Sequence, residues 1–185
     1  MAQIDKSKPV LVTGANGYVA SWLVKRLLDE GLTVHAAVRS PENEKKVGHL
    51  KEAAAGTKGE IRFFKADLLT PGAYQEAMEG CELVYHTASP FTLDVKDPQK
   101  ELVDPALKGT RNVLESVERT DTVKRVVLTS SVAAVIGDGR DFEKLPNKTA
   151  TEEHWNTTST LTHQSYAYSK VVAEKEAWKI ANAHN

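Results

Sequence analysis

The chain has 185 residues, which at roughly 150 residues per domain predicts a single domain. Hydrophobic residues make up 41% and charged residues 26%, a composition typical of globular proteins that excludes global disorder. The 24 basic side chains nearly balance the 25 acidic ones, so the formal charge is -1 and no nucleic-acid partner is expected.

The sequence also bears on membrane insertion, cellular location, disulfide bonds and metal binding. No stretch approaches the ~20 apolar residues that a membrane helix needs, so no membrane partner is expected. Residues 1–8 are polar and lack the regions of a signal peptide, which predicts a cytoplasmic protein. Cys81 is the only cysteine, so an internal disulfide is excluded and a small buried side chain is expected there. The histidines lack metal-ligand spacing, and no metal is expected.

Strand and helix patterns alternate along the chain. Runs rich in β-branched residues predict strands over residues 10–13, 32–39, 61–66, 83–88 and 124–130. Apolar residues three and four apart predict helices over 16–30, from Pro41, from Pro71, over 100–119 and over 163–183. Near-continuous apolar strands that alternate with helices predict a parallel sheet with helices on both faces, a doubly wound α/β fold.

Two segments depart from this regular alternation. Pro105 lies inside the fourth helix and predicts either a kink or a restart capped by Asp104. The polar segment 137–162 is longer than the ~12 to 15 residues usual for a loop, and we expect such a loop to be functional.

The first strand runs into a glycine-containing turn that opens the first helix. Gly14 permits a sharp turn, Gly17 permits close approach of a pyrophosphate, and Ala20 permits close helix–strand packing. Helix N–H groups face an anion placed there. The position after the first strand predicts a dinucleotide site, with an ordinary tight turn as the alternative. The turn residues expected at the cofactor are Thr13, Gly14, Asn16, Gly17, Tyr18 and Val19.

The second and third strand ends supply further candidates. An acidic residue at the tip of the second strand would read the ribose of NAD, but the residue there is Arg39. Together with Lys46 it suits a 2′-phosphate and hence NADP; the alternative is a solvated face in which Glu42 pairs with Lys46. The pair Asp67-Leu68 is expected beside the adenine, or alternatively as a helix cap.

The candidate catalytic residues come after the fifth strand in the chain. Tyr166 and Lys170 are four residues apart, which places both side chains on one face of the last helix. Hydride delivery to a carbonyl carbon leaves an alkoxide that needs a proton, and we expect the ammonium of Lys170 to lower the pKa of the Tyr166 phenol for this task. Ser131 is expected to hold the carbonyl oxygen, or alternatively to cap the backbone at the strand end.

Five motifs in order resemble the extended short-chain dehydrogenase/reductases, most closely the dihydroflavonol reductase and cinnamoyl-CoA reductase group. These motifs are the 13–20 turn, Asp67-Leu68, residues 86–90 (His-Thr-Ala-Ser-Pro), residues 129–131 (Thr-Ser-Ser) and Tyr166-x-x-x-Lys170. The resemblance implies a Rossmann fold, NADP as cofactor and catalytic roles for Ser131, Tyr166 and Lys170. It implies cofactor contacts from Arg39, Lys46, Asp67, Leu68, Thr87, Ala88, Ser89, Thr129, Tyr166 and Lys170.

The resemblance predicts an NADPH-dependent oxidoreductase that reduces a small aldehyde or ketone to an alcohol. A nucleotide-sugar epimerase or dehydratase and a non-catalytic NADP-binding protein remain alternatives, as do a monomer and a homodimer. Cinnamoyl-CoA reductases carry Asn-Trp-Tyr-Cys-Tyr where this chain has residues 164–168 (Gln-Ser-Tyr-Ala-Tyr), so a CoA thioester is not the expected substrate. Family members also continue beyond the catalytic helix, and we therefore expect residues 1–185 to form the NADP-binding domain without the C-terminal substrate-binding part.

Overall fold

Five short strands pair into one parallel sheet in the order β3-β2-β1-β4-β5. The computed structural model describes residues 3–90, 92 and 94–183. The strands are β1 (Val10–Thr13), β2 (Thr33–Val38), β3 (Glu60–Lys65), β4 (Leu83–His86) and β5 (Arg125–Leu128). The chain leaves β1 toward one side for β2 and β3, then returns to the other side for β4 and β5. This order confirms the doubly wound α/β fold and places its switch point between β1 and β4.

The two faces of the sheet are covered by different helices. Successive side chains of a strand point to opposite faces, so Val10 and Val12 join one core cluster and Leu11 the other. The first cluster holds apolar residues of α1 (Tyr18–Asp29) and α2 (Glu44–Ala54). The second holds those of α3 (Gln75–Met78) and of the end of α4 (Asp104–Glu118). Cys81 is buried in the second cluster, as expected.

Two compact units divide the chain, and each is described by itself. Residues 1–88 and 112–129 form the sheet unit, and residues 89–111 and 130–185 form the helix unit. In the helix unit, the long helix α6 (Ser165–Ala183) contacts the short helix α5 (Val132–Val135) and a π-helical turn at Gln99–Val103. No helix among the described residues has the length and apolar character needed to cross a membrane.

The third and fourth helices differ from the expectation. The third begins at Gln75 rather than near Pro71, because Gly72 has a φ of +72°, outside the helical range, and the Asn112 side chain bonds the loop in this form. Asn112 Oδ1 accepts from Gly72 N (2.9 Å), and its Nδ2 donates to Leu68 O (3.1 Å). The fourth helix starts as the π-helical turn and continues as α4, which accommodates the missing N–H of Pro105. Asp104 does not cap it, since its φ of -59° and ψ of -48° are helical.

The long polar segment is mostly irregular and contains two 3₁₀ turns, at Gly139–Lys144 and Pro146–Lys148. One buried amide anchors it to α5. Asn156 Nδ2 donates to Ala133 O (2.7 Å), and Asn156 N donates to Ala134 O (2.8 Å). Gly137 lies against the same amide, since a Cβ there would come within 2.6 Å of Asn156 Oδ1. The segment is therefore a fixed part of the helix unit where it adjoins α5.

Candidate functional site

The turn after β1 is clamped to the end of β4 by Thr13. Its buried Oγ1 accepts from the backbone N–H of Thr87 (3.1 Å) and of Ala88 (3.0 Å) and contacts His86 Nδ1 at 2.9 Å. Since the oxygen accepts twice, its own proton remains to donate to Nδ1. The Thr87 hydroxyl donates back to Thr13 O. The Thr13 side chain thus supports the turn and is not free for the predicted dinucleotide contact.

The backbone at position 14 leaves no room for a side chain, so glycine is required there. Its φ is +61°, and a Cβ there would lie 3.1 Å from both Cα and Cβ of Ala88. Left-handed backbone in a confined space strongly favours glycine. The sequence motif therefore marks a real geometric constraint between the β1 turn and the β4 end.

The N-terminus of α1 is open to an anion. The first backbone donor bonded inside this helix is Ser21 N, which donates to Gly17 O at 2.8 Å. The amides at Tyr18 and Val19 precede it, and no side chain caps the helix at Gly17. Tyr18 is 84% exposed, and Asn16 beside the turn is partly exposed. Among the described residues, the amides of Tyr18 and Val19 therefore have no hydrogen-bond acceptor, and such open amides at a helix N-terminus bind phosphate groups in this fold.

The second-strand tip carries free cations. Arg39 and Lys46 are exposed, and within the described ranges their side chains form no hydrogen bond or ion pair. The side chains of Glu42 and Lys46 are both exposed, as the solvated-face alternative expects, but among the described residues they form no ion pair with each other. These two cations are available to a phosphate.

The third-strand end forms a turn. Asp67 Oδ1 accepts from Leu69 N at 2.8 Å, so Asp67 closes a turn and does not cap a helix. Leu68 is partly buried against the second core cluster. At the fifth strand, the exposed Thr129 donates its backbone N–H to His86 O at 3.0 Å, which keeps it at the same sheet end as the β1 turn.

Ser131 begins α5 and has a defined hydrogen bond. Its Oγ accepts from Ala133 N at 3.1 Å, so the capping alternative is confirmed. A hydroxyl oxygen that accepts a bond still carries a proton to donate. Capping and the expected contact to a carbonyl oxygen are therefore compatible, and the cap fixes the Ser131 rotamer.

Tyr166 and Lys170 lie one turn apart on α6. Lys170 Nζ is 5.8 Å from the centroid of the Tyr166 ring and donates to Ser89 Oγ at 3.0 Å. Burial lowers the pKa of Lys170, whose residue is 8% exposed, and burial also raises the pKa of Tyr166. The net shift of the Tyr166 pKa is thus opposite to the expected lowering by Lys170, because desolvation by burial is its cause in this structure.

The structure brings the expected residues together in two groups. The sheet unit holds those of the β1 turn, the second- and third-strand ends, Thr87, Ala88 and Thr129; the helix unit holds Ser89, Ser131, Tyr166 and Lys170. The sequence reading missed the role of Ser89 as the acceptor for Lys170. It also missed Glu174, which accepts from the Ser130 hydroxyl. The repeat of polar residues four apart after Tyr166 is the signal that could have found Glu174.

Comparison with known proteins gives a consistent set of relatives. The NAD dependent epimerase/dehydratase family model matches residues 10–185. Cinnamoyl-CoA reductase CAD2 of Medicago truncatula is 48% identical over 188 residues, covering 100% of this chain and 56% of that protein. Dihydroflavonol 4-reductase of Gerbera hybrida is 37% identical over 186 residues, covering 98% and 49%. The chain spans about half the length of the curated relatives it matches.

A solved structure shows the same architecture. Yeast methylglyoxal/isovaleraldehyde reductase Gre2, complexed with NADPH, is 32% identical and superposes with a TM-score of 0.78. The match covers 95% of this chain and 53% of that one. These relatives confirm both the Rossmann fold and the resemblance to the dihydroflavonol reductase and cinnamoyl-CoA reductase group.

Proposed function

The chain belongs to the NAD dependent epimerase/dehydratase family, and on that premise we propose that it is an NADPH-dependent oxidoreductase that reduces an aldehyde or ketone to an alcohol. The observation that carries the proposal is the pairing on α6. A partly buried phenol, Tyr166, has the buried ammonium of Lys170 one turn away, 5.8 Å from its ring centroid. A proton donor beside a fixed cation suits an oxygen that gains negative charge during reaction.

The residues of the sheet unit fit a phosphorylated dinucleotide. The open amides of α1, beside the turn that Gly14 makes against Ala88, would hold the pyrophosphate. Arg39 and Lys46 are exposed cations without ion-pair partners among the described residues, and they would hold the 2′-phosphate. An acidic residue at the Arg39 position would favour NAD instead, so the sequence there supports NADPH. When bound, the reduced nicotinamide supplies the hydride.

The chain's own residues supply the proton and orient the carbonyl. The Ser131 hydroxyl, whose oxygen already accepts from Ala133 N, donates its proton in a hydrogen bond to the carbonyl oxygen. As the C–H bond forms and the C=O π bond breaks, the Tyr166 O–H bond breaks and its proton moves to that oxygen. The product is an alcohol and a phenolate at Tyr166, and solvent returns the proton to Tyr166 afterwards.

The directions in which the pKa values of Tyr166 and Lys170 shift are compatible with carbonyl reduction. Because burial raises the pKa of Tyr166, the phenol keeps its proton at neutral pH and begins the cycle as an acid. The positive charge of Lys170 then stabilises the phenolate that forms. Burial lowers the pKa of Lys170, and the bond from its Nζ to Ser89 Oγ offsets part of the cost of burying the ammonium.

The test is steady-state oxidation of NADPH by the purified protein against a panel of aldehydes and ketones. We expect turnover with at least one of them and much weaker turnover with NADH. A preparation that retains NAD tightly and interconverts nucleotide sugars would contradict the proposal and favour the epimerase alternative. A preparation that binds NADPH but turns over no carbonyl would favour the binding-protein alternative.

A further inference from the structure

Helix α6 carries three polar side chains at successive four-residue steps: Tyr166, Lys170 and Glu174. This spacing places them along one face of the helix. The proposed reaction uses the first two and leaves the third without a role. Glu174 Oε2 accepts from the Ser130 hydroxyl, and its Oε1 accepts from Trp178 Nε1 at 3.3 Å. Both carboxylate oxygens are therefore engaged.

The partner of Glu174 adjoins the residue proposed to orient the carbonyl. Ser130 directly precedes Ser131, whose backbone is extended with φ of -156° and ψ of 150°. On the other side, Asn156 Nδ2 holds Ala133 O at 2.7 Å, and Ala133 N donates to Ser131 Oγ at 3.1 Å. The Ser131 backbone thus lies between two anchored points, of which Glu174 provides the first.

We propose that Glu174 is a positioning residue that fixes Ser130 and thereby sets the place of the Ser131 hydroxyl relative to Tyr166 on the same helix; this inference rests on the proposed function. A carboxylate can only accept hydrogen bonds, so the Ser130 hydroxyl is obliged to donate to it in one orientation. Hydrogen bonds to a charged acceptor are stronger than neutral ones, and this one spans 44 residues of sequence. One rigid helix, α6, thereby fixes the positions of both groups that act on the carbonyl oxygen, Tyr166 directly and the Ser131 hydroxyl through Glu174 and Ser130.

The kinetic test compares four variants with the parent in NADPH-dependent reduction of one good aldehyde. Glu174→Ala and Ser130→Ala should each lower kcat about tenfold, with the KM for NADPH within about twofold, because misplacing a group that acts in the transition state lowers turnover. The double variant should lose no more than either single variant, since both remove the same bond. Glu174→Gln keeps an accepting oxygen for Ser130 and should regain most of the kcat.

The matched control is Glu176→Ala on the same helix. Glu176 pairs with Arg111 Nε at 2.6 Å and does not contact Ser130. This variant should leave kcat within about twofold of the parent even where its melting temperature falls. An equal loss of kcat in Glu174→Ala and Glu176→Ala would overturn the inference, as would a multiplied loss in the double variant.

A second readout needs no turnover. Amide hydrogen exchange over residues 131–134 reports whether the backbone after Ser130 stays anchored. Glu174→Ala should speed exchange at Ala133 about tenfold, and Glu176→Ala should leave it unchanged. Unchanged exchange in Glu174→Ala would overturn the inference whatever the activity, whereas faster exchange in a protein without reductase activity would support the anchoring and contradict only the proposed function.

Discussion

Lys170 Nζ donates to Ser89 Oγ at 3.0 Å although the two residues are 81 positions apart in the chain. Lys170 is 8% exposed as a residue, whereas Ser89 is exposed. Among the described residues Ser89 is its hydrogen-bond partner. Ser89, three residues beyond the end of β4, is therefore the hydrogen-bond partner that holds the ammonium beside Tyr166.

Removal of the Ser89 hydroxyl should destabilise the protein. Ser89→Ala removes the acceptor of the Lys170 ammonium at an exposed position, and the free energy of unfolding should fall by about 0.5 to 1.5 kcal/mol. Ser89→Thr keeps a hydroxyl and should stay near the parent value. Urea unfolding of the three proteins measures the difference. A Ser89→Ala protein as stable as the parent would show that the bond contributes nothing.

Acid should weaken the fold through His35. This side chain is 5% exposed, its Nδ1 lies 2.8 Å from Ala77 O, and its Nε2 is buried without a partner in the part of the chain that the structure describes. Burial holds the pKa of His35 below its usual value, with nearby Arg62 acting in the same direction and Glu60 opposing it. The unfolded chain therefore binds more protons than the folded one, and stability is lost as the pH falls below about 6.5.

The test of this effect is the unfolding free energy between about pH 7 and pH 5, above the range in which most carboxylates titrate. The parent should lose stability with a slope of up to about 1.4 kcal/mol per pH unit from this one group. His35→Gln should flatten the slope, whereas His49→Gln, at an exposed histidine, should leave it as it is. Parallel slopes in the parent and in His35→Gln would contradict the prediction.

Cofactor preference should depend on Arg39. Its planar guanidinium can bond a 2′-phosphate through two donors, and each charge-assisted bond contributes about 1.5 to 3 kcal/mol. Arg39→Asp removes that donor pair and adds a carboxylate that can accept from the 2′-hydroxyl of NAD. The ratio of kcat/KM for NADPH over NADH should therefore invert. A parent that already prefers NADH, or a ratio that Arg39→Asp leaves unchanged, would contradict this assignment.

Lys46 should contribute less than Arg39. It is a flexible, exposed point charge, so Lys46→Ala should weaken NADPH binding modestly, and the loss should shrink as salt rises. Measuring the Kd for NADPH at low and high ionic strength checks both parts. A loss as large as that of Arg39→Asp, or one insensitive to salt, would place Lys46 in direct and shielded contact.

The sequence predicted the features that depend on local chemistry. The β-branched runs predicted all five strands to within a few residues, and the central strands β1 and β2 are buried on both faces, which leaves few positions there for polar residues. The glycine at position 14 predicted the turn after β1, because the positive φ of this turn suits few other residue types. The four-residue spacing of Tyr166 and Lys170 predicted a shared helix face for the same local reason.

The long-range polar contacts could not be predicted from the sequence. The Asn112 side chain bonds the loop before the third helix, about 40 residues earlier in the chain. The bonds of Lys170 to Ser89 and of Ser130 to Glu174 likewise join common residue types that carry no local signal of their partners. Because each of these pairs forms only after the fold brings distant segments together, periodicity and motif spacing could not reveal them.

The central claim is that Tyr166 donates the proton in NADPH-dependent carbonyl reduction, and the most direct measurement is the kcat of Tyr166→Phe on one good aldehyde substrate. The change keeps the ring and removes the proton, so kcat should fall by roughly 10² to 10⁴ while the Kd for NADPH stays near the parent value. Tyr168→Phe, two residues along the same helix, should keep parent turnover. Parent-like turnover in Tyr166→Phe, or a larger loss in Tyr168→Phe, would contradict the account.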